Sequence, residues 1–114
     1  MVALVHDVGE ALGPINHGEI AAAIMHPFIS EDNYNLLRHH GLFQTYFFGA
    51  HLGLDPNARD RFKGEPWYQR TVDFCANWDE VSFDPAYDNE PMATFEPMLR
   101  RVLDKPWIPP AQAR

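Results

Sequence analysis

The stretch Val2-Ala3-Leu4-Val5-His6-Asp7-Val8-Gly9-Glu10 decides how the chain is read. Apolar or small residues lead into an imidazole and a carboxylate side by side, and a glycine follows two residues on. A carboxylate at the end of an apolar run is costly to bury without a partner. A divalent cation removes that cost. Asp has two oxygens and can bridge two cations, and a neutral His gives one nitrogen to one of them. Taken alone, the pair also fits a helix end carrying a solvated His-Asp, so the remainder of the chain must decide.

The chain has 114 residues, room for one compact domain. It is 46% hydrophobic and 22% charged, an ordinary globular balance. A net charge of -7 argues against a nucleic-acid-binding surface, which needs a basic face. It leaves open a small anionic ligand held through a metal. Cys75 is the single cysteine, so no internal disulfide is possible and a reducing cytoplasm fits. The N-terminus lacks the basic region and long apolar stretch of a signal peptide. No apolar run approaches the ~20 residues of a membrane span. Six His exceed what solubility needs, and most lie in the first half.

Residues 2–12 read as a helix with apolar positions Val2, Leu4, Val5, Val8 and Leu12, ended by Gly13-Pro14. Asn16-His17-Gly18-Glu19 reads as a capping box opening a second helix that stops near His26-Pro27. Ser30-Glu31-Asp32-Asn33 opens a third, which carries Arg38-His39-His40. Gly41 and the aromatic run Phe43, Tyr46, Phe47, Phe48 follow, read as core or dimer contact. His51 falls in a loop, Asp55-Pro56 starts a short helix to Phe62, and Lys63-Gly64-Glu65-Pro66 is a turn. Trp67 to Val81 is the longest uninterrupted helical stretch. Val72, Cys75, Ala76 and Asp79 recur there at helical spacing, which puts Asp79 on the apolar face and Glu80 off it. A last helix covers about residues 94–103, with Pro97 in its first turn. The pattern predicts an all-α domain over 1–104 and an extended Pro-rich tail over 105–114.

His6, Asp7, His17, His40 and Asp79 each sit on, or at the end of, a predicted helix, and apart from the first pair each comes from a different one. That is the pattern of a helical bundle gathering a metal site in its core.

With His6-Asp7 in Val-His-Asp-Val-Gly-Glu, His17 in Asn-His-Gly-Glu, His40 in Leu-Leu-Arg-His-His-Gly and Asp79 in Ala-Asn-Trp-Asp, the chain resembles the HD superfamily of all-helical metal proteins over roughly residues 2–103. The order resembles its dinuclear branch, which includes mixed-valent di-iron oxygenases such as myo-inositol oxygenase and the phosphonate-cleaving oxygenases, and dinuclear phosphohydrolases. The resemblance implies that Asp7 bridges two metals, that His6 and Asp79 hold the first, and that His17 and His40 hold the second. His39 competes with His40, and the Arg-His-His-Gly context favours His40. Asp7 and His40 are the implied catalytic residues. Iron is the implied metal, with Mn, Mg and Zn as alternatives.

Two departures shape the expectations. The family has a further His on a helix upstream of the His-Asp pair, so the chain is expected to be an N-terminally truncated HD bundle with an incomplete first position. The apolar surface left bare is then expected to make it a homo-oligomer. Where the phosphonate-cleaving members use a Lys one turn after the ligand matching His40, this chain has Gln44. Gln44 and Arg38 are the candidates for contact with a small polar substrate, and Arg38 and Lys63 are the basic residues available to a phosphate. Three functions follow: a di-iron oxygenase, an HD phosphohydrolase, or a non-catalytic metal-binding or dimerising remnant.

Overall fold

Ser30 opens the helix on which the others assemble. Its backbone is extended (φ -67°, ψ 160°), and its side-chain oxygen accepts the Asn33 amide at 3.2 Å. Glu31 and Asp32 then put negative charge at the positive end of the helix dipole. The computed structural model describes residues 1–86, 88 and 90–104. In it this helix, α3, runs Glu31–Phe48, preceded by α1 (Val2–Val5) and α2 (His17–Met25) and followed by α4 (Tyr68–Phe74) and α5 (Met92–Asp104). Short 3-10 turns cover His26–Phe28, Gly49–Leu52, Ala58–Phe62 and Glu80–Phe83, and a π-helical turn, Cys75–Asp79, continues α4. Among the described residues there is no strand, and the fold is all-α as the patterning predicts. The Pro-rich tail over 105–114 lies outside the described residues.

α3 joins two apolar clusters. Leu37 packs with Val5, Ala22, Met25 and Ile29, whereas Leu36 and Phe43 pack with Trp67, Phe74 and Cys75. Leu37 and Phe43 have no exposed surface, and each such side chain is worth roughly 1.5–3 kcal/mol on burial. The aromatic run divides by helical period. Phe43 is core and Phe47 packs against it, while Tyr46 is 48% and Phe48 38% exposed. The Tyr46 ring is covered by the Arg59 guanidinium at 3.7 Å.

The helix expected over 2–12 is α-helical only over Val2–Val5. From residue 6 to residue 12 the chain proceeds by turns, with Val8, Glu10 and Leu12 amides bonded three residues back. The cause lies at Gly9. A β-carbon there would stand 2.6 Å from the His17 carbonyl and 2.7 Å from Ile20 Cβ, so the turn lies directly on α2. A straight helix would leave that surface, and as a result Val8 and Leu12 are exposed rather than buried.

The capping box is not formed. Asn16 has φ -119° and ψ 28°, outside the extended region a cap needs, and its side chain makes no cap bond. Its Oδ1 lies instead against Gly13. The stretch from Trp67 to Val81 is broken into α4, the π-turn and a 3-10 turn, so α3 is the longer helix. Pro97 lies inside α5 rather than in its first turn, because that helix begins at Met92.

α2 meets α3 at Gly18, where a β-carbon would fall 2.7 Å from the Leu37 carbonyl and 3.3 Å from His40 Cε1. Backbone cannot yield cheaply there. Gly18→Ala is therefore expected to cost about 1–3 kcal/mol. Gly41, exposed in mid-α3 with nothing within 4 Å of a β-carbon, should gain about 0.5–1 kcal/mol as Ala. Urea unfolding of the two variants checks both signs.

Candidate metal centre

His6 and Asp7 stand where α1 ends and the turns begin, so the unwinding backbone directs both side chains to one side. His17 opens α2, His40 lies midway along α3, and Asp79 closes the π-turn. The structure brings all five together. Asp7 Oδ2 is 3.1 Å from His6 Nε2, which is 3.3 Å from Asp79 Oδ1. Asp7 Oδ1 is 3.1 Å from His17 Nε2 and 3.4 Å from His40 Nε2. The two oxygens of one carboxylate thus face two separate groups.

The three imidazoles are oriented alike. Nδ1 of His6, His17 and His40 donates to the carbonyls of Ala3, Pro14 and Leu37 at 2.8, 2.9 and 2.7 Å. A carbonyl can only accept, so each Nδ1 carries a proton, and whenever a ring is neutral its lone pair lies at Nε2, facing Asp7. Nε2 of His17 and of His40 are then 3.0 Å apart, both beside Asp7 Oδ1. Two ring nitrogens and a carboxylate oxygen this close need a proton or a metal cation between them. His6 Nε2 is buried and has no aligned hydrogen-bond partner, although two carboxylates lie near it. Nitrogen and oxygen donors with carbonyl-locked rings form a donor set that fits a divalent transition metal. Possible ligand atoms of His6, Asp7 and His40 all lie within 4.8 Å of one another.

Burial opposes a charge on His6, yet the Asp7 and Asp79 carboxylates and the Ala3 carbonyl outweigh it and push its pKa up to about 10. Asp7 is held well below the usual carboxylate range by His40 and then His6, against the effect of its partial burial. Cys75, at the start of the π-turn, has its thiol pushed up to about 12 by burial. It therefore stays a thiol, and its Sγ donates to the His40 carbonyl at 3.6 Å.

The neighbouring His39 faces elsewhere. Its ring stacks on Trp67 at 4.8 Å and 4°, and burial lowers its pKa. His26 is also apart, paired with Glu31 at 2.9 Å and stacked on Tyr34. Arg38 is exposed and shares none of the described contacts of the five residues. Lys63 pairs loosely with Asp60 at 3.8 Å on the surface. Gln44 is buried, with Nε2 donating to Glu80 Oε2 at 2.9 Å and Oε1 unpartnered. The Glu80 contact is not visible in the apolar stripe, which places Glu80 off the buried face. The usable signal was Gln44 itself, a buried amide four residues after His40 that needs a partner.

Without metal, the charge of His6 links stability to pH. A folded pKa above the ordinary 6.5 gives stabilisation that is complete below that value and is lost as pH rises through about 10. The melting temperature of the metal-free chain should therefore fall between those limits. His6→Gln should flatten that part of the profile.

No protein-family model matches the chain, no curated protein matches it, and no solved structure matches it.

Proposed function

We propose that the chain is a dinuclear metal-dependent enzyme of the HD kind, most closely an O2-dependent di-iron oxygenase acting on a small polar substrate. The observation that carries the reading is the two-sided placement of Asp7. Its Oδ2 faces His6, which leads on to Asp79, and its Oδ1 faces His17 and His40. Asp7 would bridge, His6 and Asp79 would complete the first position, and His17 and His40 the second. A pair of iron ions there would supply electron transfer to O2 and a Lewis-acid hold on adjacent substrate oxygens. The chain's own part is to fix the donors. The Ala3, Pro14 and Leu37 carbonyls keep each ring from turning, and the half-exposed Asp7 leaves the approach open to a ligand.

The donor set favours this over phosphate chemistry. Three imidazoles suit iron or zinc better than magnesium. No Lys or Arg is among the described contacts of the five residues, so a phosphate would meet two carboxylates with no side-chain cation to offset them.

Calorimetric titration of Fe2+ without oxygen, and of Mn2+, into metal-free protein tests the reading. Two unequal steps are expected, the tighter at the two-imidazole second position. His40→Ala should abolish the tighter step and Asp79→Asn the weaker. Asp7→Asn should weaken both by more than the roughly 10–100-fold that loss of an outer partner costs. Two equal steps, or a His40→Ala variant that keeps the tighter one, would exclude it. The iron-loaded protein should consume O2 with small polyols or hydroxy acids. Phosphate release from monoesters without O2 uptake would favour the hydrolase.

We also infer self-association. Leu12 is 77% exposed, Ile15 102% and Val8 52%. This apolar turn lies beside the site, and at about 25 cal/mol per Å2 its cover is worth several kcal/mol. Sedimentation at high concentration should show a dimer or larger. Leu12→Lys together with Ile15→Lys should shift it to monomer.

A further inference from the structure

Two side-chain bonds tie the π-turn Cys75–Asp79 to α3, one at each end. At the start, Cys75 Sγ donates to the His40 carbonyl at 3.6 Å. Just past the end, Glu80 Oε2 accepts from Gln44 Nε2 at 2.9 Å, and Gln44 stands one turn beyond His40. A π-turn is rare and appears as a single wider turn within a helical run, so side-chain ties at its two ends bear on where its last residue comes to rest. Here the last residue is Asp79, which closes the far side of the first position.

We propose that Gln44 and Glu80 are positioning residues. Their hydrogen bond sets the distance of the Asp79 carboxylate from His6 and Asp7, and so the affinity and geometry of the first metal position. This rests on the dinuclear reading above.

Stability alone does not account for Gln44. It is only 5% exposed, and its Oε1 has no partner. Reversing the amide would set oxygen against the Glu80 carboxylate, so the orientation is fixed by the one bond it makes. A buried, half-satisfied amide is a worse core residue than a leucine of similar size. What Gln44 gains over leucine is the bond to Glu80. That bond acts on the residue next to Asp79.

The test uses the full chain and titrates Mn2+ and, without oxygen, Fe2+ into the wild type, Gln44→Leu, Glu80→Ala and Glu80→Gln. Thermal melts of each metal-free form accompany the titrations. Gln44→Leu and Glu80→Ala should weaken the first-position step about 10-fold or more and leave the second nearly unchanged. Metal-free Gln44→Leu should melt no lower than wild type, which a merely structural role would not produce. Glu80→Gln keeps an acceptor and should restore the first step. If a single variant does not fold, the paired exchange Gln44→Glu with Glu80→Gln rebuilds the bond with the roles reversed and must keep both steps. A wild type that binds no metal overturns the dinuclear reading and this proposal with it. A wild type that binds two ions while Gln44→Leu and Glu80→Ala bind them alike overturns the positioning role alone. A failed paired exchange does the same.

Discussion

The centre depends on backbone coming closer to backbone than a side chain would allow. At Gly18, α2 lies so near α3 that a β-carbon would meet the Leu37 carbonyl at 2.7 Å. That approach sets His17 and His40 with their Nε2 atoms 3.0 Å apart. At Gly9 the turn after α1 lies equally close on the first turn of α2, which carries Asp7 to the same point. Neither glycine has a positive φ, so neither is there for backbone conformation. Both are there for space, and the geometry of the His-Asp cluster is the consequence.

Given that approach, the rings are oriented by a local device used three times. Each imidazole gives its Nδ1 proton to the carbonyl three residues earlier, and no distant partner is needed to choose the tautomer. The acceptors are of two kinds. Leu37 lies within α3, where a carbonyl keeps a second lone pair after the helical bond, whereas Ala3 lies in the last turn of α1, whose carbonyls have no intrahelical partner. Pro14 precedes α2, so its carbonyl has no helical amide to serve. A ring held by its own segment needs only correct placement of that segment.

This separates what the sequence shows from what it hides. Asp79 was legible because Val72, Cys75, Ala76 and Asp79 share one face of a helix, and Cys75 and Asp79 are indeed buried. His39 and His40 could be told apart only by context, and structure sends one to Trp67 and the other to Asp7 because adjacent helical residues point about 100° apart. The short α1, the absent cap at Asn16 and the π-turn were not legible. Each follows from a tertiary demand: Gly9 seating on α2, Asn16 lying against Gly13, and the chain after α4 delivering Asp79. Local propensity carries no trace of these. The assignment of chemistry beyond a metal-fitting donor set rests on resemblance, since residue types alone do not separate iron from zinc.

Charge explains why the cluster would not persist in this form for packing alone. Asp79 is buried, Asp7 is half-buried, and no Lys or Arg is among the described contacts of either. Positive charge must therefore come from an imidazolium or from a bound cation. In the metal-free chain His6 fills that role, held charged to about pH 10 by the carboxylates on either side. In the proposed dinuclear reading the same Nε2 would be a ligand of the first metal. Proton and metal thus contend for one nitrogen, and binding there must release a proton over most of the working pH range. A core built only for stability would place an apolar side chain at this point, because a buried ion pair rarely improves on one. A core built to accept a cation needs a nitrogen that can give up its proton between two carboxylates, and His6 lies between Asp7 and Asp79.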